Sequence, residues 1–216
     1  MTTRKSTAKK TSIYSVHPGV LMTRDWIASL SEKTDHSLDD WMRLIAKNGP
    51  AGERERLQWL KSEHSLGTNT AKWLAEYSVG KGEELADPEA YLRAAEQFVD
   101  AMYAGRPGLR PLHDQIVALL RERRPTIRIC PGKTIVPFYR NHVVAQIKPS
   151  TKTRIDFGLA LDRLYEQKSF RPPARLIDTG GFQKKDRITH RIAVSEAGDI
   201  DDLLVAWFDK AWEADE

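Results

Sequence analysis

Five side chains able to hold an anion fall at outward-facing positions of alternating segments in the second half of the chain: Arg128, His142, Lys148, Arg154 and Arg191. Each lies in or beside a segment of alternating residues, and a strand sends successive side chains to opposite faces. Ile127, Ile129, Val143, Ala145, Ile147, Ile155, Phe157, Leu159, Ile188 and Ile192 therefore point to a core, and the five basic residues point away from it with Gln146 and Asp156. A sheet covered by helices on one side would display them together on the other. The chemistry of such a face is charge-assisted contact with phosphate or carboxylate, which implies nucleic acid, another polyanion or an anionic small molecule as partner. Lys184, Lys185 and Arg187, in the run Lys184-Lys185-Asp186-Arg187 beside the last strand, mark a loop rim that is either a solvated cluster or a further phosphate contact.

The distribution of charge along the chain points the same way. Residues 121–191 hold 17 Lys/Arg against 6 Asp/Glu, and the last 25 residues hold 1 against 8. The net charge of +4 hides this contrast. A basic block of that size needs counter-charges, either from the acidic tail of its own chain or from an external partner.

Other patterns that could carry chemistry are weaker. Ser65-Leu66-Gly67-Thr68-Asn69-Thr70-Ala71-Lys72 is similar to the hairpin of a helix-hairpin-helix module, in which backbone amides at a helix N-terminus approach a phosphate. Gly67 and Lys72 are its candidate contacts, although Ser65 stands where the hairpin's first glycine is expected; the other reading is a plain helix-turn-helix connection with Gly67 as a C-cap. Leu176-Ile177-Asp178-Thr179-Gly180-Gly181 looks like an aspartic protease loop, but its flanks fit a polar turn better. Gln146-Ile147-Lys148 lacks the acid that a metal-dependent nuclease places on that strand, and Asp156 is the one carboxylate nearby. The six histidines show no metal spacing; His190 shares parity with Ile188 and Ile192 and is expected to be buried, and Cys130 is expected to be packed rather than reactive. No catalytic residue, metal site or cofactor is therefore expected.

These residues are positioned by two kinds of element. The first half has helical spacing: a short helix over 24–30, one opened by Ser37 with Asp39 and Asp40 in its first turn, one started by Pro50, and one through Ala71, Trp73, Leu74 and Tyr77. Asp87-Pro88-Glu89 opens a helix to about Tyr103, and Pro111 to about Arg123 forms another. After Pro125 the period changes to two, giving strands over 126–130, 134–139, 142–148, 154–161 and 188–194 before a closing amphipathic helix entered through Asp199-Ile200-Asp201-Asp202. Trp41, Trp59 and Trp73 are expected in the core of the first part, and Trp207 and Trp212 as anchors of the last helix.

The run SLDDWMRLIAKNGPAGERERLQWLKSEHSLGTNTAKWLAE, within about residues 35–76, resembles the bacterial domain-of-unknown-function family 4287. The runs ICPGKTIVPFYRN, VVAQIKPSTKTRIDFGLAL, LIDTGGF and ITHRIAV, within about residues 91–212, resemble family 5655. The resemblance implies a two-module bacterial protein and brings no established activity with it.

The expected fold class is α+β: a small all-α module followed by a two-layer domain with a mainly antiparallel sheet and a closing helix. The expected division is a disordered basic arm over 1–12, a helical module over 13–80, a linker over 81–86 and the α+β domain over 87–216. No apolar run is long enough for a membrane span, no secretory signal is present, and a cytoplasmic location follows as the expectation. The expected function is a non-enzymatic binding module for nucleic acid or another polyanion. The alternative is a module for a small anionic ligand or a protein partner, and behind both stands a hydrolase or nuclease that would need His142, His190 and Asp156 within hydrogen-bond reach.

Overall fold

A computed structural model describes residues 12–165, 167 and 169–216; the arm expected at 1–12 falls outside them apart from Ser12. By its internal packing the chain divides into two units, one of Val16–Ala94 and one of Ala95–Glu216 together with the segment ending at Ser15.

The first unit is helical: α1 (Pro18–Ala28), α2 (Leu30–Thr34), α3 (Leu38–Asn48), α4 (Glu53–Ser62), α5 (Thr68–Tyr77) and the start of α6 (Pro88–Tyr103). Local chemistry sets the helix starts. The Ser37 hydroxyl accepts from the Asp40 amide at 3.2 Å while Asp40 Oδ2 accepts from the Ser37 amide at 3.0 Å, a reciprocal cap at the positive end of α3. Asp87 Oδ1 accepts from the Ala90 amide at 2.6 Å at the start of α6. Two starts differ from expectation. α1 begins already at Pro18, behind a His17 cap, and α4 begins at Glu53 after Gly52 rather than at Pro50. Leu30, Trp41, Ile45, Leu60, Ala71, Leu74 and Ala75 form the core, with Trp59 and Trp73 packed against it and half-buried.

The second unit holds the remainder of α6, α7 (Arg110–Arg123), six strands and α8 (Asp202–Glu213). The strands are β1 (Arg128–Ile129), β2 (Val136–Tyr139), β3 (Val143–Pro149), β4 (Ile155–Leu159), β5 (Ile177–Asp178) and β6 (His190–Val194). They form one antiparallel sheet in the order β1-β2-β3-β4-β6-β5. Phe138, Ala145, Ile147, Ile155, Phe157, Leu159, Ile192 and Val194 are fully buried on one face. Helix α8 packs on β3 and β4 with Leu204, Phe208 and Ala211 buried, and Asp201 caps it by accepting from the Leu204 amide at 3.1 Å. Alternating burial along β3, β4 and β6 leaves Gln146, Lys148, Asp156 and Arg191 on the other, open face.

Parity fails at three places. The register shifts between Phe138 and Tyr139, which pairs Tyr139 with Val143, leaves Val143 half-buried and gives the buried position to Val144. Ile188 precedes β6 instead of continuing it: its Cγ2 lies 2.7 Å from where a Cβ on Gly158 would stand, so Ile188 sits over the open face and not in the core. The stretch at Ile177-Asp178, expected as part of a polar turn, pairs with Arg191 and His190 as the two-residue edge strand β5.

Candidate anion-binding face

The open face gathers part of the expected basic set. Lys148 on β3, Asp156 on β4 and Arg191 on β6 occupy neighbouring positions, and Arg154 stands at the entry to β4. Arg154 Nε and Arg191 Nη1 both donate to Asp156 Oδ1 at 2.9 Å, so two cations share one carboxylate. Lys148 is exposed and lies opposite Asp156 in register, but no carboxylate among the described residues comes within ion-pair distance of it. Arg128 lies on β1, four strands from Arg191, where it donates to the Arg140 carbonyl at 2.8 Å and covers the Tyr139 ring at 5.7 Å. Lys184 and Lys185 are exposed on the β5–β6 connection and pair with no carboxylate among the described residues.

His142 and Arg187 are not part of this face. His142 lies in the β2–β3 turn, and both residues converge on Asp215, whose side chain is wholly buried. Asp215 Oδ2 accepts the amides of Asn141 at 2.9 Å and His142 at 2.7 Å, while Oδ1 accepts from His142 Nδ1 at 3.0 Å and Arg187 Nη2 at 2.7 Å. Burial pushes this carboxyl up; the His142 amide and ring, the Arg187 charge and the Asn141 amide outweigh it and hold the group below the usual carboxylate range. Arg187 also holds Asp162 at 3.1 Å. The expectation that His142 projects with the sheet residues fails because a turn residue does not inherit strand parity, and here a buried carboxylate claims its ring.

This junction is one instance of a wider pattern. Asp209 receives both Arg123 and Arg124, Arg175 pairs with Asp199 and Asp201, Arg124 reaches Glu213 and Arg140 reaches Glu216. With Asp215 included, six of the eight acids in the last 25 residues pair with a cation of residues 121–191. The acidic tail thus supplies much of the counter-charge of the basic block, mainly to arginines outside the open face.

In the helical unit, Ser65 takes φ 55°, the left-handed conformation that glycine accepts most easily, and the Leu66 amide closes onto the Leu60 carbonyl at 3.2 Å. The turn of the hairpin is therefore kept despite the missing glycine. Gly67, at φ −61°, is the N-cap of α5 and not a C-cap. Lys72 reaches toward Glu76 at 3.9 Å and shares a groove with Glu53, so carboxylates surround the one cation expected to meet a phosphate there.

The groups a hydrolase would need are held apart by other partners. His142 is on Asp215, Asp156 is on two arginines, and His190 is buried with Nδ1 3.1 Å from the Thr189 hydroxyl. Burial lowers the His190 pKa and raises the Cys130 thiol to about 12, which keeps that thiol protonated at neutral pH. Asp178 accepts from the Gly180 amide at 2.7 Å, with Gly180 at φ 69°, as a polar turn requires. No group of three or more His, Cys, Asp or Glu among the described residues could hold a metal ion. No described helix is long and apolar enough to cross a membrane.

Sequence reasoning missed Asp215, at which only the imbalance between block and tail hinted.

No curated protein and no solved structure matches the chain. Residues 23–79 match the model of a domain of unknown function, DUF4287. Residues 99–215, the sheet unit almost entire, match a second, and the chain belongs to that family, Domain of unknown function (DUF5655).

Proposed function

We propose that the protein is a non-enzymatic binding module for a polyanion, nucleic acid foremost, which it engages through the open face of the sheet and its rim. The observation that carries this reading is the uneven pairing of charge. Among the described residues Lys148, Lys184 and Lys185 keep no carboxylate partner, and Arg154 and Arg191 share the single carboxylate of Asp156. Arg128 lies four strand spacings from Arg191, about 19 Å at the usual interstrand distance. Cations spread that widely suit an extended ligand more than a compact one. The small-ligand alternative required Arg128, His142, Arg154 and Arg191 to converge; Arg154 and Arg191 meet on Asp156, but Arg128 lies on β1 and His142 is held by Asp215.

The test is fluorescence anisotropy of a labelled oligothymidylate with the full chain over a salt series. Engagement of three to five phosphates corresponds to a slope of log K against log salt of about −2 to −3.5. Undetectable binding at low salt would remove the proposal.

A further inference from the structure

A column of aromatic rings runs out of the core of the sheet unit toward its β5 edge. Trp207 on α8 is buried and meets Phe170 edge-on, with ring centroids 5.8 Å apart. Phe170 lies 5.1 Å from Tyr165, and Tyr165 stacks on Phe182 at 4.2 Å with the ring planes 7° apart. His190, buried on β6, backs both Phe170 and Tyr165 at 5.5 Å. Phe182 ends the column at 42% exposure, and Tyr165 is the one ring it meets among the described residues. Tyr165 covers one face of the Phe182 ring, and the exposure comes from the remainder.

Hydrogen bonds hold the outer end of the column. The Tyr165 hydroxyl donates to Asp178 Oδ2 at 3.2 Å, and Asp178 pairs with His190 in the sheet. Phe182 sits in a closed turn: the Lys184 and Asp186 amides donate to the Gly181 carbonyl at 3.1 and 2.8 Å, and the Lys185 amide donates to the Phe182 carbonyl at 3.1 Å. A Cβ on Gly181 would stand 2.3 Å from the Ile188 carbonyl oxygen, so the turn lies directly against the entry to β6. The same turn carries Lys184 and Lys185, both exposed, and neither pairs with a carboxylate among the described residues. One short, fixed segment thus presents an aromatic ring and two cations together.

We infer that Phe182, backed by Tyr165, is a stacking platform for an unpaired base, and that the polyanion this protein engages is single-stranded nucleic acid. Phe138, Phe157 and Phe208 of the same unit are fully buried, whereas Phe182 stands at the surface beside two lysines. A ring held parallel to a second ring offers an apolar surface that any base can cover, while neighbouring lysines meet the phosphates that flank the base. In a duplex the faces of the bases are already covered by the adjacent pairs, so only the backbone reaches this turn. Cations alone do not separate the two forms; the ring does. The inference rests on the reading of the protein as a polyanion binder and narrows the partner to unpaired strands.

Fluorescence anisotropy of the full chain tests it with three labelled ligands: an oligothymidylate, an abasic deoxyribose-phosphate strand of the same length, and the oligothymidylate paired with oligoadenylate. The parent protein is expected to bind the oligothymidylate about tenfold more tightly than the abasic strand, which carries the same charge without bases. Phe182→Leu keeps an apolar side chain against Tyr165 and removes the aromatic surface. It is expected to weaken oligothymidylate binding about tenfold while leaving the abasic strand, the duplex and the salt slope unchanged, and Phe182→Tyr should bind as the parent does. Equal parent affinity for the oligothymidylate and the abasic strand, or full oligothymidylate affinity in Phe182→Leu, would overturn the platform and leave the polyanion reading standing. A loss in Phe182→Leu that extends equally to the abasic strand and the duplex would also overturn it, as an effect on charge or folding. Absence of binding to all three ligands at low salt would end both readings.

Discussion

The two ends of the sheet carry similar positive charge and treat it differently. At the β2–β3 turn, His142 and Arg187 close on a carboxylate with no exposure, and the polar atoms there are spent on one another. At the close of β3, Lys148 is exposed and pairs with no carboxylate among the described residues. A count of lysines and arginines cannot separate these cases. The first set fastens the end of the chain to the sheet, whereas Lys148 has no such partner among the described residues.

Substitutions at the paired end should therefore damage folding, and those at Lys148, Lys184 and Lys185 should damage binding alone. The largest effect is expected for Asp215→Ala, which leaves Arg187, two amides and the His142 ring without their acceptor; a loss of about 3 kcal/mol in chemical denaturation is expected. Because the folded-state carboxyl is held low, this contribution is present above the unfolded value of about 3.9 and is lost as pH falls through the lower folded value. A variant as stable as the parent would show that the paired end is not structural.

His113 sharpens the same contrast inside α7. It is fully buried, its Nδ1 lies 3.2 Å from the Tyr103 hydroxyl, and burial lowers its pKa to about 4. The unfolded chain binds this proton more readily, so stability should fall as pH drops from about 6.5 toward 4, by about 3 kcal/mol in all. His113→Phe should flatten that part of the pH–stability curve, and an unchanged curve would assign the acid sensitivity to other groups.

Smaller effects probe the open face. Gly158→Ala places a methyl 2.7 Å from Ile188 Cγ2 and 3.0 Å from Gln146 Cγ, and thermal unfolding should report a loss of about 1–3 kcal/mol. Lys184→Ala with Lys185→Ala should change stability by less than about 0.5 kcal/mol while weakening oligothymidylate binding severalfold. A stability loss there comparable to that of Asp215→Ala would erase the distinction between the two ends.

Legibility in the sequence followed the range of the interactions. Caps such as Ser37 with Asp40, Asp87 before Pro88, and Asp201 act within three residues, and the helices they open were readable from residue types alone. Alternation placed Phe157, Ile192 and Lys148 correctly because all three lie within the regularly paired stretches of their strands. It misplaced Ile188, which precedes its strand, and Val143, which follows a register shift, since parity carries no information past a bulge or a strand end. β5 has two residues and is stabilised by pairing with β6, so no local pattern announces it. The site was least readable. Asp215 meets residues more than 70 positions earlier, and Arg106 meets Thr151 across 45, distances at which only the folded chain supplies the partner.

The most direct measurement compares two charge-matched sets of variants by oligothymidylate anisotropy over a salt series. Lys148, Lys184 and Lys185 changed together to Ala remove three cations without a carboxylate partner among the described residues, while Arg123, Arg124 and Arg175 changed together to Ala remove three that pair with the acidic tail. The first set should make the slope of log K against log salt shallower by about 2 and lower affinity at least about tenfold, and the second should leave the slope unchanged. Equal losses in both sets, or a lysine set that binds as the parent does, would contradict the assignment of binding to the unpaired face.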